Sequence, residues 1–207
     1  MPILIGDVDV SRETMERLKL FESLVVRWSP KINLVSKVDL TDLWQRHILD
    51  SAQVFNADLP KSNHWVDLGS GGGFPGIVAA IITTEFAPER WFTLIESDQR
   101  KSTFLRTALR ECGVTGQVIA DRIQSAAPQS ANILSARALA PVTDLLAHAV
   151  RHMNENGVAL LHKGRNYAQE LDAAKRVWSF DVTTHQSLTA PDSCILAIRN
   201  IRRADAQ

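Results

Sequence analysis

The sequence predicts an α/β fold: a mostly parallel sheet covered by helices on both faces, closed by an antiparallel C-terminal hairpin strand and preceded by a helical cap. Three observations carry this. From residue 64 onward, short apolar runs alternate with longer segments of helical period, the signature of strand–helix–strand units. A glycine-rich turn follows the first of those runs. The last two runs are joined only by a tight connection around Pro191-Asp192, which is too short for a crossover.

The elements follow in order. Residues 11–29 read as an amphipathic helix, because Met15, Leu18, Phe21, Leu24, Val25 and Trp28 recur at three- and four-residue steps. Ser11 is placed to cap it and Pro30 to end it. A second helical stretch over 40–56 puts Leu40, Leu43, Trp44, His47, Ile48 and Ser51 on one face. Strands are expected at 64–68, 91–95, 117–120, 132–135 and 157–162, with helices at about 76–84, 98–112, 141–153 and 167–177 between or after them. Two closing strands are expected at 179–187 and 194–201. Residues 1–60 thus form the cap and 61–207 the main domain.

Composition narrows the class. A chain of 207 residues is about one and a half times a typical ~150-residue domain, enough for a core without disulfides or metals. Hydrophobic residues make up 45% and charged residues 22%, values that exclude disorder and collagen-like repeats. The longest apolar runs, such as Ile77 to Ile82, fall far short of the ~20 residues of a membrane span. Met1-Pro-Ile-Leu-Ile-Gly-Asp7 has no basic n-region, so no signal peptide is expected. Cys112 and Cys194 match no CxxC pattern; reduced thiols, no metal and a cytoplasmic location are the plain reading. Lys+Arg and Asp+Glu are both 23, so any nucleic-acid binding must come from local patches.

The chemistry is concentrated in Trp65-Val-Asp67-Leu-Gly69-Ser70-Gly71-Gly-Gly73-Phe74-Pro75-Gly76, between the first strand and its helix. Glycines let a backbone approach a ligand closely, and the helix turns its positive end to the site. Gly71-x-Gly73-x-x-Gly76 fits the dinucleotide fingerprint, with Glu96 where such folds place a ribose-binding acid. Asp67 argues for another ligand. A carboxylate at this strand tip suits a cation rather than a pyrophosphate, and S-adenosylmethionine carries both a sulfonium and an ammonium. Glu96 would then accept both ribose hydroxyls.

At this point the sequence resembles the glucose-inhibited division B (GidB, or RsmG) family of bacterial 16S ribosomal RNA guanine-N7 methyltransferases. The matching segments are Trp28 to Leu34 (WSPKINL), Arg46 to Ser51 (RHILDS), Asp67 to Gly76, Phe92 to Arg106, Ala136 to Ala140 and His162-Lys-Gly164. RHILDS is the most specific of them. The resemblance implies a class I, Rossmann-like methyltransferase sheet, S-adenosylmethionine as cofactor, and 16S rRNA of the small subunit as partner. It also implies a monomeric, cytoplasmic protein with no membrane partner. Cofactor contacts carried over by the resemblance are Gly69, Phe74, Ile123, Gln124 and Arg137; with the loop and strand tips, the cofactor set adds Asp67, Ser70, Gly71, Gly73, Glu96 and Ser97. Glu96 stands where the family usually has Asp, and Gln124 where an acid is common.

The remaining candidates each have a plainer reading. His47 is a packing histidine or, beside Arg46 and Asp50, a group at the substrate. Asn33 is a turn residue or a polar group facing the substrate. Arg137, just after the fourth strand, is a surface arginine or a cation in the strand-end crevice that orients guanine. Lys163 and Arg165 clamp phosphate or belong to a solvated loop. Arg100, Lys101, Arg106 and Arg110 form a helical stripe that is a solvated face or an RNA contact. Arg137, His47, Asn33 and Arg46 are the catalytic candidates, and Arg100, Lys101, Lys163 and Arg165 the RNA-binding ones. Ser135-Ala-Arg-Ala in place of an Asn-Pro-Pro-Tyr-type motif argues against methylation of an exocyclic amine. Two rivals stand beside this: a methyltransferase for a small molecule or protein, and a non-catalytic nucleotide-binding module.

Overall fold

A computed structural model describes residues 3–5, 8–61 and 64–204. The N-terminal residues form an antiparallel hairpin, β1 (Ile3–Ile5) with β2 (Val8–Val10), which has no counterpart among the predicted elements. Helix α1 (Arg12–Ile32) starts at Ser11, whose Oγ accepts the Thr14 N–H. Leu18, Phe21, Leu24 and Val25 are its buried stripe. Pro30 does not end this helix as expected but sits inside its last turn. A proline there deletes one hydrogen bond, a loss that a long helix anchored by a buried stripe tolerates. The helix stops two residues later, where Asn33 turns left-handed (φ 51°) and returns its N–H to the Ser29 carbonyl.

The stretch predicted as one helix over 40–56 is helical but not uniform. α2 (Lys37–Leu40) is a single turn capped by Ser36; a π-helical segment covers Trp44–Leu49, then α3 (Asp50–Ala52) and a 3-10 segment over Gln53–Asn56. Widened π turns are rare and gather at functional sites. Here the widened turn carries Arg46 and His47.

The main domain follows the expected alternation: β3 (His64–Leu68), α4 (Gly76–Phe86), β4 (Trp91–Ile95), α5 (Gln99–Glu111), β5 (Gly116–Ile119) and β6 (Ala131–Arg137), then α6 (Val142–His152), β7 (Met153–Lys163), α7 (Tyr167–Lys175), β8 (Trp178–Gln186) and β9 (Cys194–Arg203). One seven-stranded sheet has the order β5-β4-β3-β6-β7-β9-β8. β9 runs antiparallel to both β7 and β8, and the other neighbours are parallel. β7 starts at Met153, earlier than the expected 157, and the irregular register between Ala131 and Ile133 absorbs the extra residues.

Two cores flank the sheet. One joins Leu18, Phe21 and Ile48 of the N-terminal region to Trp65, Ile77 and Phe104; the other holds Leu134, Leu146, Leu161 and Leu196. The cap therefore shares a core with the sheet. The chain winds outward from β3 to β5 and then crosses back to β6, so the strand order reverses between β3 and β6. In open α/β sheets the crevice at the strands' carboxyl ends beside such a reversal is where ligands bind. Among the described residues no helix is long and apolar enough to cross a membrane.

Candidate active site

A cavity of about 530 Å³ opens at that reversal. Its size is in the usual range for sites that hold a small molecule or cofactor. The glycine loop after β3 forms its floor. Gly71 has φ 52° and donates its N–H to Glu96 Oε2 at 2.9 Å, while Glu96 Oε1 accepts the Asp98 N–H at 2.8 Å. The Glu96 carboxylate is thus fixed in orientation at the tip of β4 and still lines the cavity. Gly76 is dictated by space: an added Cβ would come within 2.6 Å of Leu94 and 2.7 Å of Asp67 Oδ2.

Asp67 is not in the lining. It is fully buried beneath the loop, and its Oδ1 accepts the Ser135 hydroxyl at 2.5 Å. Ser135 in turn accepts the Trp65 indole N–H at 2.9 Å. The pairing of β3 with β6 sets Ser135 opposite Asp67. Burial pushes the Asp67 carboxyl up to about 6, with the Ser135 hydroxyl pulling the other way. Asp67 therefore has no open face toward the cavity and lies beneath its floor. Gly73 also lies outside the lining, packed on Ile77 and Phe21. The other expected cofactor positions, Gly69, Ser70, Phe74, Ser97, Ile123, Gln124 and Arg137, do line it.

One wall of the cavity comes from the loop after β5. Ile123 is pinned there by His152, whose Nε2–H donates to the Ile123 carbonyl at 2.8 Å. Across the cavity, Leu139 leans over the loop, its Cδ1 at 2.7 Å from where a Gly69 Cβ would be.

The edge nearest the cap is built around Arg137. Its guanidinium donates to the Arg46 carbonyl and to Asp50 Oδ2, both at 3.3 Å, and to His47 Nδ1. Its Cζ stands 5.1 Å over the Phe74 ring, and the His47 ring packs on that same Phe74 at 4.8 Å. Three motifs distant in sequence, RHILDS, the glycine loop and the end of β6, meet here. Burial and the Arg137 charge push His47 down to about 4. The histidine is therefore neutral, with Nδ1 accepting from arginine and the proton on Nε2. That Nε2–H has no hydrogen-bond partner among the described residues; Asp39 is 3.8 Å away.

Sequence reasoning missed Asp50 as the hub. Its Oδ1 accepts the Thr189 hydroxyl at 3.0 Å, and its backbone carbonyl accepts the His162 Nε2–H at 3.2 Å. One residue thus ties the cap to β6, β7 and the turn between β8 and β9. Its only sequence signal was its place in RHILDS.

Other candidates lie elsewhere. Asn33 is the exposed C-cap of α1 and is absent from the cavity wall. Arg46 faces outward in ion pairs with Asp39 at 3.1 Å and Asp42 at 3.8 Å. Lys163, expected at RNA phosphate or in a solvated loop, has its Nζ 2.6 Å from Glu170 and donates to the Ala140 carbonyl, with only 9% of its side chain exposed. Arg165 is exposed. Lys101 lines the cavity, whereas Arg100 points to a different one. Arg106 donates to the Val118 carbonyl and Arg110 pairs with Glu111, so neither is a free cation.

Comparison with known proteins bears on this geometry. Residues 14–196 match the family model GidB, described as rRNA small subunit methyltransferase G. A curated relative from Ruegeria pomeroyi, named ribosomal RNA small subunit methyltransferase G, is 53% identical over 95% of this chain and 96% of its own. One of the same name from Rhizobium meliloti is 47% identical over 96% of this chain and 95% of its own. Among solved structures, a TehB-like SAM-dependent methyltransferase from Corynebacterium glutamicum superposes with a TM-score of 0.57, at 13% identity over 90% of this chain and all of the other. TYW2 from M. jannaschii in complex with AdoMet also gives 0.57, at 13% identity over 84% and 80% of the two chains.

Proposed function

The chain belongs to the rRNA small subunit methyltransferase G (GidB) family, and from that premise we propose that it transfers a methyl group from S-adenosylmethionine to N7 of a guanine in 16S rRNA. The observation that carries the acceptor side is Arg137, buried at the cleft edge and held there by the cap through Asp50 and His47. Ribosomes place the activity in the cytoplasm. Residues 1–60 serve as a cap built into the same core, and 61–207 as the catalytic domain.

The residues present fit the cofactor. Glu96, fixed by two backbone N–H groups, offers its carboxylate to the ribose hydroxyls. Ile123 and Gln124 supply backbone to the adenine edge, and buried Asp67 provides negative potential beneath a cationic ligand. When bound, S-adenosylmethionine supplies a methyl group on a sulfonium, an electrophile needing no further activation.

Guanine N7 has a lone pair in the ring plane and no proton to lose, so no general base is required. Catalysis is then positioning: N7 must be held close to the methyl and in line with sulfur. Three Arg137 hydrogen bonds are spent on Arg46, Asp50 and His47. An arginine has five N–H donors, which leaves two for guanine O6. His47 cannot take a proton on Nδ1 without losing Arg137, so its role is to hold the guanidinium in place.

The test uses small subunits from a strain lacking the enzyme and tritiated cofactor. Label should enter 16S rRNA at a site that borohydride and aniline then cleave, a reaction of N7-methylguanine. Label that resists cleavage would move the target atom. Label entering only small acceptors would overturn the RNA assignment.

A further inference from the structure

Asn33 and Arg100 stand apart from the cofactor cleft, and they meet across a separate cavity of about 450 Å³ between the end of α1 and the start of α5. Val35 lines both cavities, and Lys101, next to Arg100, lines the cleft. The two cavities are therefore neighbours on one face.

Three features of this second cavity go together. Its cations are lightly engaged. Lys31 makes no ion pair among the described residues, and exposed Arg100 has only a loose 3.6 Å contact with Asp98. Arg46 and Lys163, by contrast, are tied to carboxylates. Its polar groups are unspent. Ser29 is 5% exposed and its Oγ has no partner, although a helical serine can usually reach the carbonyl one turn back. The Asn33 carboxamide also makes no hydrogen bond among the described residues. Between charge and amide lie the apolar Ile32, Val35 and Leu40.

We propose that this cavity is a subsite for one unpaired nucleotide of the substrate RNA, next to the guanine being methylated. The phosphate sits between Lys31 and Arg100, the base packs on Ile32, Val35 and Leu40, and the Asn33 carboxamide reads its edge. This inference rests on the rRNA reading above. A carboxamide both donates and accepts, which suits the mixed edge of a base better than the uniform edge of an anion. Enzymes that modify a base must take it out of the stack. A target taken from a single-stranded segment into the cleft leaves its neighbour unpaired and short of a stacking partner, and a basic pocket with an apolar wall fits such a nucleotide.

Ultraviolet cross-linking of the full chain to small ribosomal subunits, followed by peptide mapping, tests this directly. The expected cross-links fall within residues 29–40. Lys31→Ala and Asn33→Ala should each raise the KM for subunits by about three- to tenfold, and Lys31→Arg should restore most of that loss. Cofactor affinity by calorimetry should stay at the wild-type value, because neither side chain lines the cleft. Cross-links confined to other segments, to RNA or to a ribosomal protein, would overturn the subsite, as would an unchanged KM in both variants. The reaction itself reads out separately. Label entering 16S rRNA without these cross-links defeats the subsite alone, whereas cross-links at 29–40 with no methyl transfer defeat the reaction and keep the site.

Discussion

His47 is neutral because burial disfavours its charged form and the Arg137 guanidinium beside it repels a second positive charge. Its value near 4 lies below the 6.5 of a free histidine. Between those values the unfolded chain takes up a proton that the folded one refuses. Its contribution to stability is therefore complete above pH 6.5 and is lost as pH falls toward 4. With cofactor saturating at every pH, the single-turnover rate on pre-bound subunits should accordingly show no rising limb from about pH 5.5 to 8, and His47→Gln should lower the rate by a similar factor at every pH. A rate climbing about tenfold per pH unit near 6, lost in the variant, would mean that bound substrate raises His47 from about 4 to near 6 and that it acts as a base. Asp67 shifts the opposite way, to about 6. A cation bound above it favours the ionised form, so cofactor affinity should weaken as pH drops from about 7 to 5, and Asp67→Asn should flatten that slope in calorimetry. Gly71 is a purer case of backbone demand. A Cβ there would meet nothing closer than the Gly69 carbonyl at 3.7 Å, yet φ is 52°. Gly71→Val should keep its circular dichroism, at a strain of ~1–2 kcal/mol, and lose cofactor binding. At this scale the sequence showed residues that lie in contiguous motifs, such as Glu96, His47 and Arg137. It hid Asp50 and Ser135, whose importance depends on strand register and on a turn more than a hundred residues away.

Elements were legible where one period dominated. β3 and β4 fall on the expected apolar runs, because parallel strands buried on both faces carry mostly hydrophobic sequence, broken inside these two only by Asp67 and Thr93. The cap was harder to read. Residues 44–56 switch from π to α to 3-10 geometry, and no side-chain periodicity announces a change in backbone hydrogen-bonding. The N-terminal hairpin was missed because two three-residue strands are shorter than any alternation can reveal. The Lys163 ion pair was not legible because Glu170, in the first turn of the next helix, reaches it only once β7 and α7 have packed. Glu170 also accepts the Val142 N–H at 2.9 Å, so this one carboxylate joins β7, α7 and the start of α6. Losing one partner of a buried pair costs ~3–5 kcal/mol, and partial exposure of Glu170 places this pair toward the low end. Lys163→Ala should therefore lower the melting temperature by several degrees and leave the salt dependence of RNA binding unchanged. A variant of normal stability with a shallower salt slope would return Lys163 to the phosphate contacts.

The whole molecule has no net charge to draw it to RNA, with 23 basic and 23 acidic side chains. Affinity must come from the few cations that the fold leaves unpaired beside the cleft. Arg17, Arg46, Arg110, Arg137 and Lys163 are all committed to carboxylates. Arg100 and Lys101, at the first turn of α5, are the exposed or cavity-lining cations nearest the cofactor, Arg100 with a 3.6 Å contact to Asp98 and Lys101 with no ion pair among the described residues, and Arg165 is exposed beyond β7. Each phosphate neutralised releases condensed counterions, so log affinity should fall linearly with log salt, by about 0.7 per contact for single-stranded RNA. Replacing Arg100 and Lys101 together with Gln should flatten the slope by roughly 1.4 if both touch phosphate. Arg165→Gln should flatten it by about half that if the RNA also crosses the β7 end of the sheet. Because Lys101 lines the cofactor cavity, affinity for subunits must be measured at saturating cofactor product, which separates a lost phosphate contact from a damaged cleft. A slope untouched by the double variant but reduced by Arg165→Gln would move the RNA to the β7 side. The cap would then act on catalysis only through Arg137, and the guanine would enter from the β8–β9 turn instead of across α5.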